Sequence, residues 1–502
     1  MKPAPSDRNE RRRNTGIQPR LVAVDLGAES CRISLLRWFD GYPEVLLVHR
    51  FANKPVNENG SLRWDLGYIC EGLEQGLRAC AELAPEGIDA IGVDGWAVDY
   101  VRLDAAGLPL ANPFCYRDQR TVAAQQSVYA RISKDRLYAL TGIQVLPLNT
   151  LYQLHADECE PFGQSSPWVN LPEFVLHRLG GKRVAEYTNA SHTQMLGVKS
   201  KDWCDEILAA ANLVRGAAPL VVQPGTDVGG MECALASLPA FRDTRLIAPA
   251  CHDTASAVAG IPLAGPDWAF ISSGTWSLVG FVLDSPCLSE DAMHSNFSNE
   301  GGIGGNVNFL KNVNGMWLLQ QCLEEWRSQG RSWTLAGLLK ACEDLPPPDT
   351  DLNVDDPDLL LPGNMPARIN SQLASAGLPP LIDDAALANL ILHSLAARYA
   401  RIVHDLMRIT GQQRKRVCVV GGGSRNYLLN RLTEKATGLE VVVGAAESAT
   451  IGNFAVQLAA LAGERNSEIG VLSTAVAEWA TLLAPASSGQ LEPHLAGAGK
   501  IR

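Results

Sequence analysis

Apolar residues run almost unbroken from Leu21 to Leu26, pause at a turn around Gly27, and resume from Arg32 to Leu36. Two short β-type runs joined by a glycine turn predict a hairpin, with Asp25 at the end of its first strand. The runs Ile88–Val93 and Val98–Leu103 predict a second strand pair, followed by a polar turn at Asp104-Ala105-Ala106-Gly107. Thr121 to Leu140 contains no Pro or Gly and precedes Gly142, which predicts one helix stopped by a C-terminal glycine. Half a chain further on, WAFISSGTWSLVGFVL repeats the opening pattern of strand, glycine turn (Gly274) and strand. The repetition predicts two similar α/β halves, each beginning with a hairpin whose turn faces a shared cleft, with a boundary near Pro262.

The second half carries its own signals. Leu345–Pro366 holds six prolines and reads as an exposed connection. Leu387, Leu390, Ile391, Leu395, Tyr399, Ile402, Leu406 and Ile409 keep a three-to-four spacing, so a helix is expected from Asp384 to Thr410, closed by Gly411. His393 and His404 lie three turns apart on it, too far for one metal ion. RVCVVGGGSRN then predicts a buried strand, three glycines at 421–423 and a helix opening near Asn426.

Composition limits what such a chain does. Its 502 residues allow two large cores, and 46% hydrophobic with 19% charged residues is a globular balance. A net charge of −11 argues against nucleic acid or an anionic membrane as partner. No stretch of about 18 apolar residues predicts a membrane span. The 12 cysteines form no Cys-x-x-Cys pair, which suits reduced thiols and a cytoplasmic setting. Residues 1–18 are polar and basic and are expected to form a disordered tail.

Three glycine turns, at Gly27, Gly274 and Gly421–Gly423, point to phosphate or nucleoside binding, since backbone amides in such turns make concavities for anions. Thr275 adds a hydroxyl donor, and Asp25 is a candidate ligand for hydrated Mg²⁺. In RLIAPACHDTASAVAG a buried strand at Leu246–Ala250 delivers His252, Asp253 and Thr254 to a helix start. Asp253 either caps that helix or accepts a proton from an alcohol attacking a phosphate, and the two roles can coexist.

The segments VAVDLGAESCR, IGVDGWAVDY, YRDQRT, NTLYQL, EYTNASHTQ, CHDTASAV, SSGTWSL, NEGG, LKNVNGMWLLQ and VVGGGSRN, in this order, resemble the FGGY carbohydrate kinases, and within them most the rhamnulokinases. The resemblance spans residues from about 20 to 480. It implies an α/β protein of two ribonuclease-H-like domains of the actin-like ATPase superfamily, 19–262 and 263–490, flanking a catalytic cleft. It further implies ATP and Mg²⁺ as cofactors and a ketose as substrate, phosphorylated at its C1 hydroxyl, with L-rhamnulose as the expected sugar. L-fuculose, L-xylulose or a related polyol is the alternative, and a sugar or nucleotide sensor without catalysis is the rival from another class.

Matched position by position, Ala28, Glu29, Ser30, Cys31 and Arg32 correspond to the family's ATP-phosphate hairpin, and Thr275, Gln320 and Gly422 to its remaining nucleotide contacts. Ala97, His252, Asp253, Thr254 and Asn312 correspond to sugar contacts, with Asp253 as general base. Without the resemblance Asn312 reads as a turn former and Trp96 as core or as a stacking face for sugar. Four positions depart from the family pattern: Glu29, Cys31, Ala97, and Glu173 after Pro172. Glu29 is expected to point to solvent or reach a metal, because a carboxylate beside phosphates repels them. Cys31 adds a Cβ where a glycine with positive φ is expected.

Overall fold

The opening hairpin pairs β1 (Leu21–Leu26) with β2 (Ser30–Phe39), Asp25 facing Arg32 across the ladder. In a computed structural model of the chain, which describes residues 18–157, 165–263 and 265–487, this hairpin is the centre of a six-stranded sheet. The sheet adds β3 (Tyr42–Ala52), β4 (Ala90–Gly95), β5 (Thr226–Gly230) and β6 (Arg245–Ala248) in the order β5-β6-β4-β1-β2-β3. β4 runs parallel to β1 and β6 parallel to β4, so the ends of three strands, with Asp25, Asp94 and the approach to His252, open on the same edge. Ligand sites in open α/β sheets lie at such carboxyl ends.

The second half repeats the plan. β7 (Trp268–Ser273) and β8 (Trp276–Leu283) form its hairpin, joined by β9 (Ser298–Gly301), β10 (Val307–Asn314), β11 (Arg416–Val420) and β12 (Glu440–Val443) in the order β9-β10-β8-β7-β11-β12. As in the first sheet, the first hairpin strand takes a parallel neighbour, here β11, and a further parallel strand, β12, lies beyond it.

Helices cover the sheets where their apolar stripes demand it. α1 (Leu66–Leu83) buries Ile69, Leu73 and Leu77 in the first core. α2 (Leu171–Leu179) and α3 (Tyr187–His192) lie beside β4 and β9, and α4 (Asp253–Ala259) follows β6. In the second half α5 (Trp317–Ser328) and α6 (Asp384–Thr410) share the largest apolar core. Asp383 caps α6 by accepting from Ala386 N, and Gly411 at φ +68° ends it. α7 (Tyr427–Thr437) starts at Asn426, whose side chain accepts from Leu429 N. The last two helices, α8 (Ser448–Leu461) and α9 (Ser473–Ser487), return to the first sheet, where Ile451, Phe454 and Trp479 pack with Leu21, Ala23 and Leu36. No described helix is long and apolar enough to cross a membrane.

Several elements differ from the sequence reading. Ile88–Val93 and Val98–Leu103 do not pair with each other: β4 joins the main sheet, while Tyr100–Arg102 pairs with Trp168–Asn170 in a separate ribbon. The intervening Val98 has φ +71° and turns the chain away from the sheet. The segment Thr121–Leu140 is two helices, Thr121–Tyr129 and Lys134–Thr141, because Ser133 caps a new start by accepting from Arg136 N. Leu345–Pro366 is not simply exposed, since Leu352, Val354 and Leu359 are buried in the second core. Residues 1–17 of the expected tail lie outside the described residues.

Candidate active site

Between the two sheets lies a cleft of about 580 Å³. Its walls hold Asp25, Ala28, Glu29, Ser30, Arg32, Ala97, His252, Asp253 and Thr254 from the first half, and Thr275, Asn312, Gln320 and Gly422 from the second. Of the residues matched to nucleotide, sugar and Mg²⁺ contacts in the sequence, Cys31 alone does not line it. Cys31 sits in β2 with its side chain fully buried in the apolar core, and its backbone is not in the positive-φ region. The glycine-like conformation expected there is therefore absent, and strand alternation turns Cys31 inward.

The hairpin tip is fixed by hydrogen bonds. Asn53 donates to the Gly27 carbonyl at 3.1 Å, and a Cβ on Gly27 would stand 2.4 Å from the Ser30 carbonyl oxygen, so the tight turn needs glycine. Arg32 lies between Asp25 (3.1 Å) and Glu447 (3.2 Å). Glu29 is exposed, as expected, yet held: Thr275 Oγ1 donates to it at 3.0 Å and Gln320 Nε2 at 2.9 Å, both from the opposite half. Partial desolvation in the cleft raises the Glu29 carboxyl above its ordinary value, and these two bonds pull it back.

Across the cleft the triple glycine divides its work. Gly421 has φ +82°, and a Cβ on Gly423 would meet Ser273 Oγ at 2.0 Å, whereas one on Gly422 would meet nothing. Two glycines serve packing, and the third presents open backbone to the cavity.

Asp253 is the first residue of α4, with His252 in the cap position, so its carboxylate is not the helix's N-cap. Thr254 Oγ1 lies 3.3 Å from Asp253 Oδ1. Burial raises the Asp253 carboxyl, with Thr254 opposing and the Glu300 charge adding to the rise. The strand-to-helix loop is held from behind by Glu186, which accepts from Cys251 N at 2.8 Å. Glu186 in turn donates its backbone N–H to Glu173 at 3.0 Å, which gives the Pro172-Glu173 departure a supporting place outside the cavity.

Asn312 lies within β10, paired with Leu278, and is not a turn former. Its amide donates to Glu300 Oε1 at 3.3 Å and to Gln144 Oε1 at 3.2 Å. Trp96 is buried at the cavity wall, its indole N–H on Asp99 at 2.9 Å and its ring centroid 4.6 Å from that of Trp64. His192 and Glu300 complete this end. Both fall inside motifs quoted above, but neither carries a local signal, because a histidine ending a short helix reads as core.

Asp25 and Asp94 lie together at the strand ends. Burial raises Asp25, Arg32 opposes, and Asp253 and Glu447 add to the rise; Asp94 is raised by burial and by Asp25, and its Oδ1 has no hydrogen-bond partner. Carboxylates that repel one another beside an open cavity fit a hard divalent cation such as Mg²⁺.

Sequence profiles agree with this geometry. The profile of the FGGY family of carbohydrate kinases, N-terminal domain, matches residues 21–260, and that of the C-terminal domain matches 269–461. The chain belongs to the FGGY family of carbohydrate kinases. Its fold is similar to that of a xylulose kinase from Lactobacillus acidophilus, at TM-score 0.72 and 16% identity over 94% of this chain and 97% of that one. A gluconate kinase from the same organism matches at TM-score 0.71 and 15% identity, covering 94% and 97%. A glycerol kinase from Plasmodium falciparum, solved with ADP, matches at TM-score 0.69 and 13% identity, covering 92% of each chain. The FGGY architecture is thus the two-domain α/β fold of the actin-like ATPases.

Proposed function

We propose that this FGGY carbohydrate kinase transfers the γ-phosphoryl group of ATP to the C1 hydroxyl of a 6-deoxyketohexose, with L-rhamnulose as the substrate. The observation that supports the reading is that Asp253 lines one cleft together with His252, Thr254 and Asn312 and with Ala28, Glu29, Ser30 and Thr275 of the two hairpins. Asp253 Oδ takes the hydroxyl proton as that oxygen forms its bond to the γ-phosphorus, the bond to the β-phosphate oxygen breaks, and ADP leaves. Burial raises its proton affinity, which makes it a stronger base than a solvated carboxylate. His252, Thr254 and Asn312 orient the sugar, and Trp96 and Ala97 shape the wall against which it lies. Arg32, Thr275, Gln320, Gly422 and the amides of Ala28 to Ser30 hold the nucleotide. Asp25 would hold Mg²⁺, which when bound neutralises phosphate charge. Free thiols at the described cysteines support work in the cytosol.

A second reading, a kinase for L-fuculose, L-xylulose or a related polyol, is favoured by Ala97, whose methyl fills space on the sugar side. One methyl in a close-fitting pocket is worth about 1–3 kcal/mol of discrimination. A coupled assay of ADP release with MgATP and a panel of ketoses, beside a sugar-free control and Asp253→Asn, decides. Turnover with L-rhamnulose that falls at least about 10³-fold in the variant is expected. Preference for another sugar supports the second reading, and ATP binding without turnover on any sugar supports a sensor.

A further inference from the structure

At the sugar end of the cleft stands a buried group to which the proposed reaction gives one role, that of His252 in orienting the sugar. His192 ends α3 and His252 precedes α4, both in the first domain, while Glu300 lies in β9 of the second. Their relative exposures are 5%, 4% and 0%. His192 Nε2 lies 3.2 Å from Glu300 Oε1, and His252 Nδ1 lies 3.5 Å from Glu300 Oε2. Yet His192 Nδ1, His252 Nδ1 and Glu300 Oε2 are buried without any hydrogen-bond partner. Polar atoms left in this state are costly unless something else satisfies them.

We propose that His192, His252 and Glu300 form a binding site for one borderline divalent cation of the zinc class, bridging the two domains. A tetrahedral ion with bonds of about 2.0–2.1 Å sets its ligand atoms about 3.3 Å apart. The 3.2 Å from His192 Nε2 to Glu300 Oε1 matches that value, His252 Nδ1 lies 3.5 Å from the other carboxylate oxygen, Oε2, and one ligand atom from each of the three residues lies within 4.8 Å of the other two. Among the described residues this is the sole His, Cys, Asp or Glu group with such spacing. Two imidazoles and one carboxylate suit Zn²⁺, Co²⁺ or Ni²⁺, whereas the all-oxygen group at Asp25 and Asp94 suits Mg²⁺. Asn312, donating to Glu300 Oε1, supplies the outer contact that orients a ligating carboxylate. Both histidines line the open cleft, which gives the ion a path in and leaves a fourth position for water. An ion held there occupies His252, so it competes with a sugar for that side chain.

The test titrates the intact protein with Co²⁺, without nucleotide or sugar, so its outcome does not depend on the kinase reading. One equivalent of Co²⁺ giving visible bands of tetrahedral intensity is expected, displaced by Zn²⁺ and untouched by excess Mg²⁺. The bands should vanish in His192→Ala and in Glu300→Gln. Wild-type protein that shows no such bands overturns the proposal whether or not the variants fold. Bands that persist in both folded variants overturn it equally.

Discussion

Glu29 places a carboxylate between two donors, Thr275 Oγ1 and Gln320 Nε2, that belong to the opposite domain and that the proposed reaction assigns to phosphates. A nucleotide that takes those donors must displace the side chain and then bear its charge nearby, where attraction and repulsion in a sheltered cleft are stronger than in water. Glu29→Gln keeps the shape and an acceptor oxygen but removes the charge. We expect the KM for ATP to fall by roughly 3- to 10-fold, corresponding to about 1 kcal/mol, with kcat changed little. Steady-state kinetics at saturating ketose checks this, and a raised KM would show that the carboxylate helps to bind the nucleotide. The residue scale also marks a limit of the sequence reading. The charge at Glu29 was visible in the chain, but its partners lie about 250 and 290 residues away, and only the meeting of two domains reveals them.

Helix α4 must carry Asp253 to a fixed depth, and it does so by lying directly on α8. A Cβ on Gly452 would stand 1.8 Å from the Ser256 carbonyl oxygen, and one on Gly260 would stand 2.2 Å from that of Ser448. The two backbones touch through these glycines, so Gly452→Ala has to push α4 away. Overpacking of this kind costs about 1–3 kcal/mol, and the shift moves the general base. Urea unfolding should show the stability loss, while kcat falls with the KM for ATP nearly constant; unchanged kcat would detach the helix contact from catalysis. Elements with strong local signals were legible: both hairpin turns, the strand before Gly421, and α6 with its eight periodic apolar residues and Gly411 stop. Elements decided by distant contacts were not. Ser133 opens a new helix without Pro or Gly to announce it, and Leu352 and Leu359 are buried under a proline-rich segment whose composition suggests exposure. His192 and Glu300 were hidden for the same reason, since each is unremarkable alone and they meet only when the domains do.

The chain's two halves are interlocked, because α8 and α9 leave the second domain to cover the first sheet and Asn453 donates to Asp94 at 2.5 Å. Stability of the first domain therefore depends on the end of the chain, and perturbing its interior is felt by the whole molecule. That interior holds several carboxyls that burial drives upward: Asp99 to about 6, Glu173 to about 7 and Glu186 to about 8, although each accepts hydrogen bonds that pull the other way. A folded state that keeps these acids protonated binds more protons than the unfolded chain, whose carboxyls titrate near 3.8 and 4.5. Stability from this source is complete below those lower values and is lost as pH rises through the folded ones. Within its window each group contributes a slope of about 1.4 kcal/mol per pH unit. Glu300 acts in the opposite sense: burial alone would raise it, but His192 and His252 bring it down to about 2, so its contribution is lost only as pH falls from 4.5 toward 2. Between pH 5 and 8.5 the three raised acids dominate. Thermal unfolding followed by calorimetry should give a Tm that declines across that range, with the decline above pH 7 shallower in Glu186→Gln, where no proton is left to lose. A Tm that rises from pH 5 to 8.5 would mean that the donors to Glu186, Thr188 and Cys251 N–H among them, outweigh its burial and hold it ionised.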